Sequence, residues 1–349
     1  MKNIFIVVPT LNPDEKIMEN FIKELQKEFE SILVINDGSK SIHDNFFKSL
    51  EKKGIKIIKH YKNYGKGRGL KNAFNYLLNQ YPDIEGVITC DCDGQHSVKD
   101  IKKCAKSLLK NKNKLILGVR NFYNDNVPPK SKFGNVITRN IFKIFIGLDI
   151  SDTQTGLRGL SKKLMEKFID LSGERYEYET NMLIACKEES IEINEVEIET
   201  IYLDRNANSH FNPLKDSIMI YRLFMKYFLV AFSSFIFDII LFSYFFKVLP
   251  INSKILAATI LSRTVSSVYN YITNSNLIFK DMNILSLIKY YILVTLQMLI
   301  SGCFVTYLYN LLNVSVLLIK IIIDSILWII NLIIQREFVF KRGIKNEKK

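Results

Sequence analysis

The feature that most constrains this chain of 349 residues is the contrast between its two ends. Residues 1–220 are rich in charge, whereas residues 227–335 consist mostly of Ile, Leu, Phe, Val, Ser and Tyr. A helix crosses a bilayer with about 20 consecutive apolar residues. Four stretches reach that length, at Tyr227–Phe246, Ile255–Thr273, Tyr290–Tyr309 and Val314–Gln335. The sequence therefore predicts a soluble N-terminal half followed by an all-α domain of four transmembrane helices.

Basic residues around these stretches predict their orientation. The chain carries 48 Lys and Arg against 35 Asp and Glu, a formal net charge of +13. One set of flanking segments holds Lys215, Arg222, Lys226, Lys280, Lys289, Arg336, Lys341, Arg342, Lys345, Lys348 and Lys349. The opposite set offers Lys247, Lys254 and, at the edge of the fourth stretch, Lys320. Basic flanks stay in the cytoplasm, so we expect a multi-pass protein of the cell membrane with both termini cytoplasmic. Anchoring to anionic lipid explains the positive charge, and no nucleic-acid partner is expected.

Three charged residues lie inside the predicted spans, where charge is costly and needs a partner. Asp238, Arg263 and Asp324 each stand about ten residues from the cytoplasmic end of their span, which places them near one depth. Pairing of Arg263 with Asp238 or Asp324 would offset the cost of burial. The sequence leaves two interpretations open, a structural ion pair that fixes helix packing and a polar route for a lipid headgroup.

The same half contains a weak internal repeat. The segment from Asn270 to Lys280 resembles that from Asn331 to Lys341, and the residues after Lys226 resemble those after Lys289. Two hairpins that start and end on the same side would form a parallel duplication. Small and polar residues on such helices favour association, so a homo-oligomer is an open alternative.

The N-terminal half alternates short β-rich segments with helical ones. We predict strands at Ile4–Val8, Ser31–Asn36, Ile55–Ile58, Gly86–Cys90 and Lys114–Val119, and helices at about 14–29, 41–52, 66–79 and 98–110. Such alternation is typical of a Rossmann-like α/β fold, a mostly parallel sheet covered by helices on both faces. Ligands of these sheets bind at the carboxyl ends of the strands. The residues that follow each strand should therefore form one site.

Polar or glycine-rich segments do follow all five predicted strands. They are Pro9-Thr10-Leu11-Asn12, Asn36-Asp37-Gly38-Ser39, the segment from His60 to Gly67, Asp91-Cys92-Asp93-Gly94-Gln95-His96 and Gly118-Val119-Arg120-Asn121. Asp91 and Asp93 stand two residues apart where a strand ends, so both can face one cation, and carboxylate oxygens suit Mg²⁺ or Mn²⁺. Asp37 is placed to accept hydrogen bonds from a base or ribose. Lys66 lies between two glycines and offers a charge to a diphosphate. The pattern matches neither a P-loop nor a dinucleotide-binding glycine motif.

The cysteines allow another interpretation. Cys90, Cys92, His96 and Cys104 could suggest zinc, but their spacing matches no common structural site. Alternation along the chain sends Cys90 and Cys92 away from the two aspartates, into packing. The five cysteines lack paired spacing, so we expect reduced thiols.

Residues 130–147 place apolar side chains largely on one helical face, with Lys132, Arg139 and Lys143 interspersed. A helix of this kind can lie in the headgroup layer and bring a lipid phosphate to the cation. An ordinary packed surface helix has the same pattern.

Together these motifs carry two resemblances. Residues 1–220 resemble a family 2 glycosyltransferase of the GT-A fold, of the dolichol-phosphate mannosyltransferase type. Besides the five strand-end motifs, this resemblance rests on Asp152-Thr153-Gln154-Thr155-Gly156-Leu157-Arg158, Tyr176-Glu177-Tyr178-Glu179-Thr180 and Ser209-His210-Phe211. The membrane half resembles the GtrA-like family of four-span proteins through the residues after Lys226, Asp238 and the repeated endings. The implied domains are a glycosyltransferase domain at 1–212, a connecting helix at 213–226, a GtrA-like domain at 227–341 and a basic tail at 342–349.

The first resemblance implies roles for individual residues. Donor binding would fall to Pro9, Thr10, Asn12, Asp37, Lys66, Asp91 and Gln95. Asp91 and Asp93, helped by Gln95, would hold Mg²⁺ or Mn²⁺ and, with Arg120, would form the catalytic centre. Arg120, Lys132 and Arg205 would neutralise phosphates of donor and acceptor.

The implied reaction is transfer of a sugar, with inversion, from a nucleotide sugar to a polyprenyl phosphate of the undecaprenyl type. It would take place at the cytoplasmic face and serve cell-envelope polysaccharide or glycan modification. A phosphate nucleophile needs no general base, because its second pKa is about 6. Two alternatives stay open. The acceptor could be a hydroxyl of a glycolipid or wall polymer, with Asp152 or Glu177 as base, or the chain could translocate lipid-linked sugar without catalysis.

Overall fold

The computed structural model describes residues 3–122, 129–199, 215–250, 254–274, 276, 284–312, 314–335 and 338. The chain divides into two compact units, Met1–Lys143 with Leu148–Ile220 and Ile144–Gly147 with Tyr221–Lys349. We call them the N-terminal unit and the C-terminal unit. The predicted phosphate ligand Arg205 and the motif Ser209–Phe211 lie outside the described residues.

The N-terminal unit is built on one sheet, which has seven strands within the described residues. The strands are β1 (Ile4–Thr10), β2 (Ile32–Asn36), β3 (Lys56–Lys59), β4 (Gly86–Thr89), β5 (Leu115–Arg120), β6 (Arg158–Ser161) and β7 (Ile193–Ile198). Their order is β3-β2-β1-β4-β6-β5-β7. Neighbouring strands are parallel except at β6, which is antiparallel to β4 and β5. The predicted mostly parallel sheet is therefore confirmed.

Helices connect these strands. They are α1 (Glu15–Glu28), α2 (Asp44–Lys52), α3 (Lys66–Gln80), α4 (Val98–Lys110), α5 (Pro129–Ile141), α6 (Lys162–Phe168) and α7 (Glu177–Glu188). Side chains fix several starts, because an oxygen at the N-cap satisfies a free backbone N–H of the first turn. Asp14 accepts from Ile17 N, Ser97 from Asp100 N and Ser161 from Leu164 N.

The central strands are buried along their whole length, as expected for a parallel sheet covered on both faces. All residues of β2 and β4 are buried, and so are those of β1 apart from Pro9. Apolar side chains of α1 and α4 complete one continuous core with these strands, among them Met18, Ile22, Leu25, Ile101 and Leu108. This core leaves the carboxyl ends of β1, β2 and β4 side by side at one edge.

Most predicted elements of this unit agree with the structure to within one or two residues. The predicted helix at 41–52 begins as a single 3-10 turn at Ser41–His43 before α2. The predicted helix at 130–147 is α5 followed by a π-helical turn at Phe142–Ile146. Neither β6 nor β7 was predicted from the sequence. β6 has four residues, and β7 reads Ile-Asn-Glu-Val-Glu-Ile with only its last residue fully buried.

The C-terminal unit is helical, with α8 (Lys215–Val248), α9 (Lys254–Thr273), α10 (Ile284–Leu312) and α11 (Val316–Ile334). Each contains or overlaps one of the four predicted spans. Within the described residues, Phe228–Val248 and Ile284–Leu312 are long and apolar enough to cross a membrane.

Burial in the C-terminal unit is inverted relative to a water-soluble core. Large apolar side chains such as Leu229, Ile240 and Ile292 are more than half exposed. Polar side chains are buried instead, among them Asp238, Thr259, Ser262, Ser266, Ser301, Lys320 and Asp324. An apolar exterior around a polar interior costs free energy in water, whereas hydrocarbon solvates such an exterior without that cost.

Candidate active site

Two aspartates follow β4 at the edge where the central strands end. Asp91 and Asp93 come directly after the buried Cys90. The chain at Gly156 passes against them, since Thr89 Oγ1 donates to the Gly156 carbonyl at 2.9 Å. A Cβ atom at Gly156 would lie 2.3 Å from Asp91 Oδ2 and 2.8 Å from Lys66 Nζ. A side chain at position 156 would therefore displace the ends of Asp91 and Lys66, and the close approach brings the motif at residues 152–158 to Asp91.

We call the group of Asp91, Asp93 and Glu179 at this end of the sheet the acidic edge. Lys66, the first residue of α3, forms an ion pair with it. Its Nζ lies 2.7 Å from Asp91 Oδ1 and 3.0 Å from Glu179 Oε1. On the other side of Asp91, His96 Nε2 lies 3.6 Å from Oδ2. The predicted residues Lys66, Asp91 and Asp93 are thus brought together, and Glu179 joins them.

Burial and neighbouring charges shift the pKa values of the two aspartates in opposite directions. Burial disfavours the charged form of Asp91, but the Lys66 ammonium and His96 outweigh it and hold the pKa of Asp91 well below its usual range. Burial and the negative charge of Asp91 raise the pKa of Asp93. Lys66 is buried, yet Asp91 and Glu179 raise its pKa and keep it charged. A half-buried carboxylate pair with excess negative charge is a place where an additional cation is stabilised.

The residues present fit a divalent ion of the Mg²⁺ or Mn²⁺ kind. Such ions take one or two carboxylates and complete their coordination with water and substrate phosphate. Asp91 and Asp93 supply two carboxylates, and the backbone N–H of Gln95 donates to Asp93 Oδ1 at 3.1 Å. Within the described residues, no three His, Cys, Asp or Glu side chains form a metal-binding group. The protein therefore offers a two-carboxylate site and no enclosed cage in this part of the chain.

Asp37 organises the loop that carries Lys66. Its Oδ1 accepts from the Tyr64 backbone N–H at 2.9 Å and faces His60 Nδ1 at 2.7 Å, and its Oδ2 accepts from the Gly65 N–H at 2.8 Å. Only 5% of Asp37 is exposed. Contact of Asp37 with a base or ribose stays a prediction, and the structure shows that its carboxylate holds the residues before α3.

The first strand-end motif is joined to the second. The Asn12 N–H donates to Ser39 Oγ at 2.9 Å, and Asn12 Oδ1 accepts from the Lys40 N–H at 2.8 Å. Asn12 takes a left-handed backbone conformation with φ 44°, which asparagine tolerates better than most residues. The Thr10 carbonyl accepts from the Asp37 N–H at 2.9 Å, and Pro9 pairs with Ile35 in the sheet. The structure thus brings Pro9, Thr10 and Asn12 to the same edge as Asp37.

Arg120 and Asp152 form a paired unit at the end of β5. Arg120 Nε donates to Asp152 Oδ2 at 2.7 Å and Nη2 donates to Oδ1 at 3.2 Å. Asp152 is completely buried, and its Oδ1 also accepts from the Gln154 N–H at 3.1 Å. Both oxygens of Asp152 are therefore engaged in fixing Arg120 and the turn at residues 152–154.

Glu177, the other carboxylate considered as a base, closes a turn. Its Oε1 accepts from the backbone N–H groups of Glu174 at 3.0 Å and Arg175 at 3.2 Å. This contact shapes the segment that precedes α7.

Lys132 lies in α5, outside the group of contacts around Asp91. Helix α5 is attached to the segment before Asp152, because Asn135 Nδ2 donates to the Ser151 carbonyl at 2.9 Å. Asp149 accepts from Arg139 Nη2 at 3.0 Å and from Lys143 Nζ at 2.7 Å. Phe133 on the same helix is 69% exposed. The helix thus carries basic residues and an exposed aromatic ring beside the segment that holds Arg120.

Two site residues were missed by the sequence analysis, Glu179 and Arg158, although both stood in recognised motifs. Arg158 is 1% exposed, and its Nη1 donates to the Glu179 carbonyl at 2.6 Å. Its Nε lies 4.0 Å from Glu179 Oε1. A buried arginine next to a buried glutamate signals a charge network, but the pairing joins β6 to α7 and no local spacing reveals it.

The thiols near the aspartates are packed. Cys90 and Cys104 are buried in the core, and Cys92 packs against it. Burial raises the pKa of the Cys92 thiol to about 11 and that of Cys104 to about 12. These thiols are held protonated, which opposes metal binding through thiolate.

Four charged residues in the interior of the C-terminal unit form one network within the described residues. Arg263 Nη2 lies 3.3 Å from Asp238 Oδ2 and 3.0 Å from Asp324 Oδ2. The predicted pairing of Arg263 thus occurs with both aspartates. Lys320, assigned to a loop from the sequence, is instead a fully buried residue of α11, with Nζ 2.7 Å from Asp324 Oδ2. Ser266 and Ser301 complete the network as donors to Asp238 and Asp324. Lys320 was misplaced because its position near the end of a span resembles a flanking lysine.

Comparison with known proteins shows which proteins this chain resembles. The glycosyl transferase family 2 profile matches residues 5–169. An uncharacterized protein of Methanocaldococcus jannaschii is 32% identical over 228 residues, which cover 64% of this chain and 91% of that protein. The UDP-N-acetylglucosamine–dolichyl-phosphate N-acetylglucosaminyltransferase of Methanococcus voltae is 30% identical over 248 residues, covering 64% of this chain and 96% of that protein. A crystal structure of Mycobacterium tuberculosis glucosyl-3-phosphoglycerate synthase with Mn²⁺, UDP and phosphoglyceric acid has a TM-score of 0.49 at 15% identity, covering 65% of this chain and 78% of that one.

The family profile and the curated transferase relative show that this chain is an enzyme of the glycosyltransferase class, and its mostly parallel sheet agrees with the GT-A fold. More specifically, the chain belongs to glycosyl transferase family 2.

Proposed function

We propose that this enzyme transfers a sugar from a UDP-linked donor to the phosphate of a polyprenyl lipid at the cytoplasmic face of a membrane. The observation that carries the proposal is the relation to the dolichyl-phosphate N-acetylglucosaminyltransferase, which extends over 96% of that protein. The acidic edge with Lys66 supports a diphosphate donor, because it combines a cation site with a fixed ammonium group.

The chain's own residues divide the task in this proposal. Asp37 and the loop it holds would form the nucleoside side of the donor site, and Lys66 would meet the diphosphate. Asp91 and Asp93, helped by Gln95, would hold Mg²⁺ or Mn²⁺, which when bound stabilises negative charge on a departing diphosphate. Arg120, oriented by Asp152, would contact the acceptor phosphate, with Lys132 and Arg205 as further cations.

The acceptor is a phosphate in this proposal because Asp152, one of the two carboxylates considered as a base, is already engaged. Asp152 binds Arg120 with both oxygens, and Glu177 accepts two backbone N–H groups through Oε1. A hydroxyl acceptor needs a base within hydrogen-bond reach, whereas a phosphate monoester is ionised near neutral pH. One phosphate oxygen would attack the anomeric carbon in line with the leaving UDP, so that the configuration inverts.

The C-terminal unit supports a membrane location. Its apolar exterior, its polar interior and the two long apolar helices all suit a bilayer. We propose four spans with both termini cytoplasmic, on the basis of the flanking basic residues. The domains would be 1–212 for transfer, 213–226 as connection, 227–341 in the membrane with a GtrA-like arrangement, and 342–349 as a basic tail.

The experiment that tests the function uses membranes containing the full chain, polyprenyl phosphate and radiolabelled nucleotide sugars, with Mg²⁺ or Mn²⁺. Label should enter the lipid fraction, should be released by mild acid, and should stay out of the lipid when EDTA is present. Absence of lipid-linked label for every donor would refute the proposal. Label that resists mild acid would instead point to a hydroxyl acceptor.

A further inference from the structure

We propose that Glu179 is a positioning residue of the candidate active site, because it shares the ammonium of Lys66 with Asp91 and so leaves Asp91 able to bind a divalent ion. The proposal rests on the proposed function, in which Asp91 is a metal ligand. Glu179 would touch neither the sugar nor the reacting phosphate and would act through Lys66.

The first support is the geometry of the shared ammonium. Lys66 Nζ lies 2.7 Å from Asp91 Oδ1 and 3.0 Å from Glu179 Oε1. The side chains of Lys66 and Glu179 are 12% and 9% exposed, whereas that of Asp91 is 33% exposed. Water therefore screens the Lys66–Glu179 contact less than it screens Asp91. Asp91 is the member of the trio that faces an incoming ligand.

The second support is that the backbone fixes Lys66 beside Glu179. A Cβ atom at Gly65 would lie 2.4 Å from the Glu174 carbonyl oxygen, and one at Gly67 would lie 2.5 Å from Tyr178 Cβ. The Arg68 N–H donates to the Glu174 carbonyl at 2.9 Å. The first turn of α3 thus packs directly against the segment that leads into α7. Only glycine at positions 65 and 67 lets the two backbones come this close. The contact between Lys66 and Glu179 follows from this packing.

The third support is that Glu179 also contacts the buried Arg158. Arg158 Nη1 donates to its carbonyl at 2.6 Å, and Arg158 Nε lies 4.0 Å from Oε1. The charges Arg158, Glu179, Lys66 and Asp91 alternate in sign from the interior outward. Glu179 can therefore hold Lys66 without following it toward a ligand.

The consequence concerns competition for Asp91. With Glu179 present, Lys66 divides its charge between two carboxylates, so part of the negative charge of Asp91 stays available to a metal. Without Glu179, Lys66 would pair with Asp91 alone and oppose a second cation there. A bound diphosphate gives Lys66 another acceptor, so Lys66 can exchange Asp91 for phosphate while Glu179 keeps it in place.

The test measures binding of Mn²⁺ alone to the purified full chain in detergent, by the electron paramagnetic resonance signal of free Mn²⁺. Lys66→Met should tighten Mn²⁺ binding about tenfold, the size of effect that a neighbouring charge has on an ionisable group. Glu179→Gln should weaken it by a similar factor. Glu179→Asp keeps the charge but is one methylene shorter, so it should release Lys66 and weaken binding as well.

A matched control and a double variant decide the interpretation. Glu174→Gln removes a charge from the same segment, but Glu174 binds Arg68 and Lys71, so Mn²⁺ affinity should stay within about twofold. In the Lys66→Met background, Glu179→Gln should change the affinity far less than in the wild type, because coupled residues are not additive. An equal effect in both backgrounds, or none in the wild type, would overturn the proposal.

Folding and function are controlled separately. Thermal melting of each variant shows whether it is folded, and Glu179→Asp decides the question if Glu179→Gln does not fold. Mn²⁺ affinities that move as expected in a chain that transfers no sugar would refute the proposed function and leave this inference standing. Mn²⁺ affinities that stay unchanged in a chain that transfers sugar would refute this inference and leave the proposed function standing.

Discussion

The two units each contain a cluster of charged side chains, and the clusters differ in balance. In the N-terminal unit, Asp91, Asp93 and Glu179 face Lys66 and the buried Arg158, three carboxylates against two cations. In the C-terminal unit, Asp238 and Asp324 face Arg263 and Lys320, two against two. The first cluster has a surplus of negative charge at a sheet edge, and the second is neutral among four helices.

This difference separates a cluster with surplus negative charge from a cluster whose charges balance. A surplus carboxylate near the surface is stabilised by a cation from outside, whereas the opposite charges of a neutral buried network compensate one another. Serine hydroxyls also donate to Asp238 and Asp324. We therefore place the proposed catalysis at the acidic edge, and the balanced network favours the interpretation in which the buried charges of the C-terminal unit fix helix packing.

The largest effect is expected when the acidic edge is neutralised. Asp91→Asn should lower sugar transfer by about a thousandfold, since it removes a ligand of the ion that stabilises transition-state charge. Transfer to polyprenyl phosphate in membranes measures this loss. Asp44→Asn removes an exposed aspartate that pairs with Lys59 and should leave the rate nearly unchanged. Comparable losses in both variants would contradict the assignment.

The next effect concerns the neutral network. Lys320→Met leaves Asp324 with less compensation and should destabilise the protein by about 3–5 kcal/mol, the usual cost of breaking a buried ion pair. Thermal unfolding in detergent measures it, with the exposed Lys247→Met as control. A folded Lys320→Met protein that has lost transfer or lipid translocation would favour the polar-route interpretation instead.

How far the sequence predicted these units depends on the range of the interactions. The five parallel strands and the helices of the N-terminal unit could be predicted because their periodicity and end signals are local. β6 could not, since Arg158–Ser161 is short and its antiparallel pairing with β4 and β5 is set by distant residues. The π-helical turn after α5 likewise has no local signal.

In the candidate site, too, the features with local signals could be predicted and the long-range contacts could not. Asp91, Asp93 and Asp37 could be predicted because each follows a strand, and the sheet brings strand ends together. The engagement of Asp152 by Arg120 and of Lys66 by Glu179 could not be predicted, because each pair joins segments far apart in the chain. In the C-terminal unit the depth of Arg263, Asp238 and Asp324 predicted their meeting, whereas the burial of Lys320 depended on how the helices pack.

A smaller effect is expected from crowding the acidic edge. Gly156→Ala would place a methyl group 2.3 Å from Asp91 Oδ2, so Asp91 has to move. Displacement of a site group by about an ångström costs on the order of a hundredfold in rate. Gly134→Ala is the matched control, because a Cβ there meets nothing within 4 Å. An unchanged rate in Gly156→Ala would show that the position of Asp91 is not critical.

The smallest effect concerns the exposed face of α5. Phe133→Ser removes a ring that is 69% exposed, and loss of its contact with lipid should raise the KM for polyprenyl phosphate about threefold while kcat stays unchanged. Ile42→Ser removes another exposed apolar side chain of the same unit and should leave KM as it is. Equal KM values for the wild type and Phe133→Ser would support the alternative that α5 is an ordinary packed surface helix.

In the proposed function, the acidic edge transfers a sugar, without its phosphates, to a lipid phosphate. Mass spectrometry of the products formed by the purified full chain from UDP-N-acetylglucosamine, dolichyl phosphate and Mn²⁺ tests it most directly. A lipid with a single phosphate carrying the sugar should form with one UDP released per product, and the Asp91→Asn variant should form both products about a thousandfold more slowly. Release of UMP with a diphosphate-linked lipid, or product formed at the wild-type rate by Asp91→Asn, would contradict it.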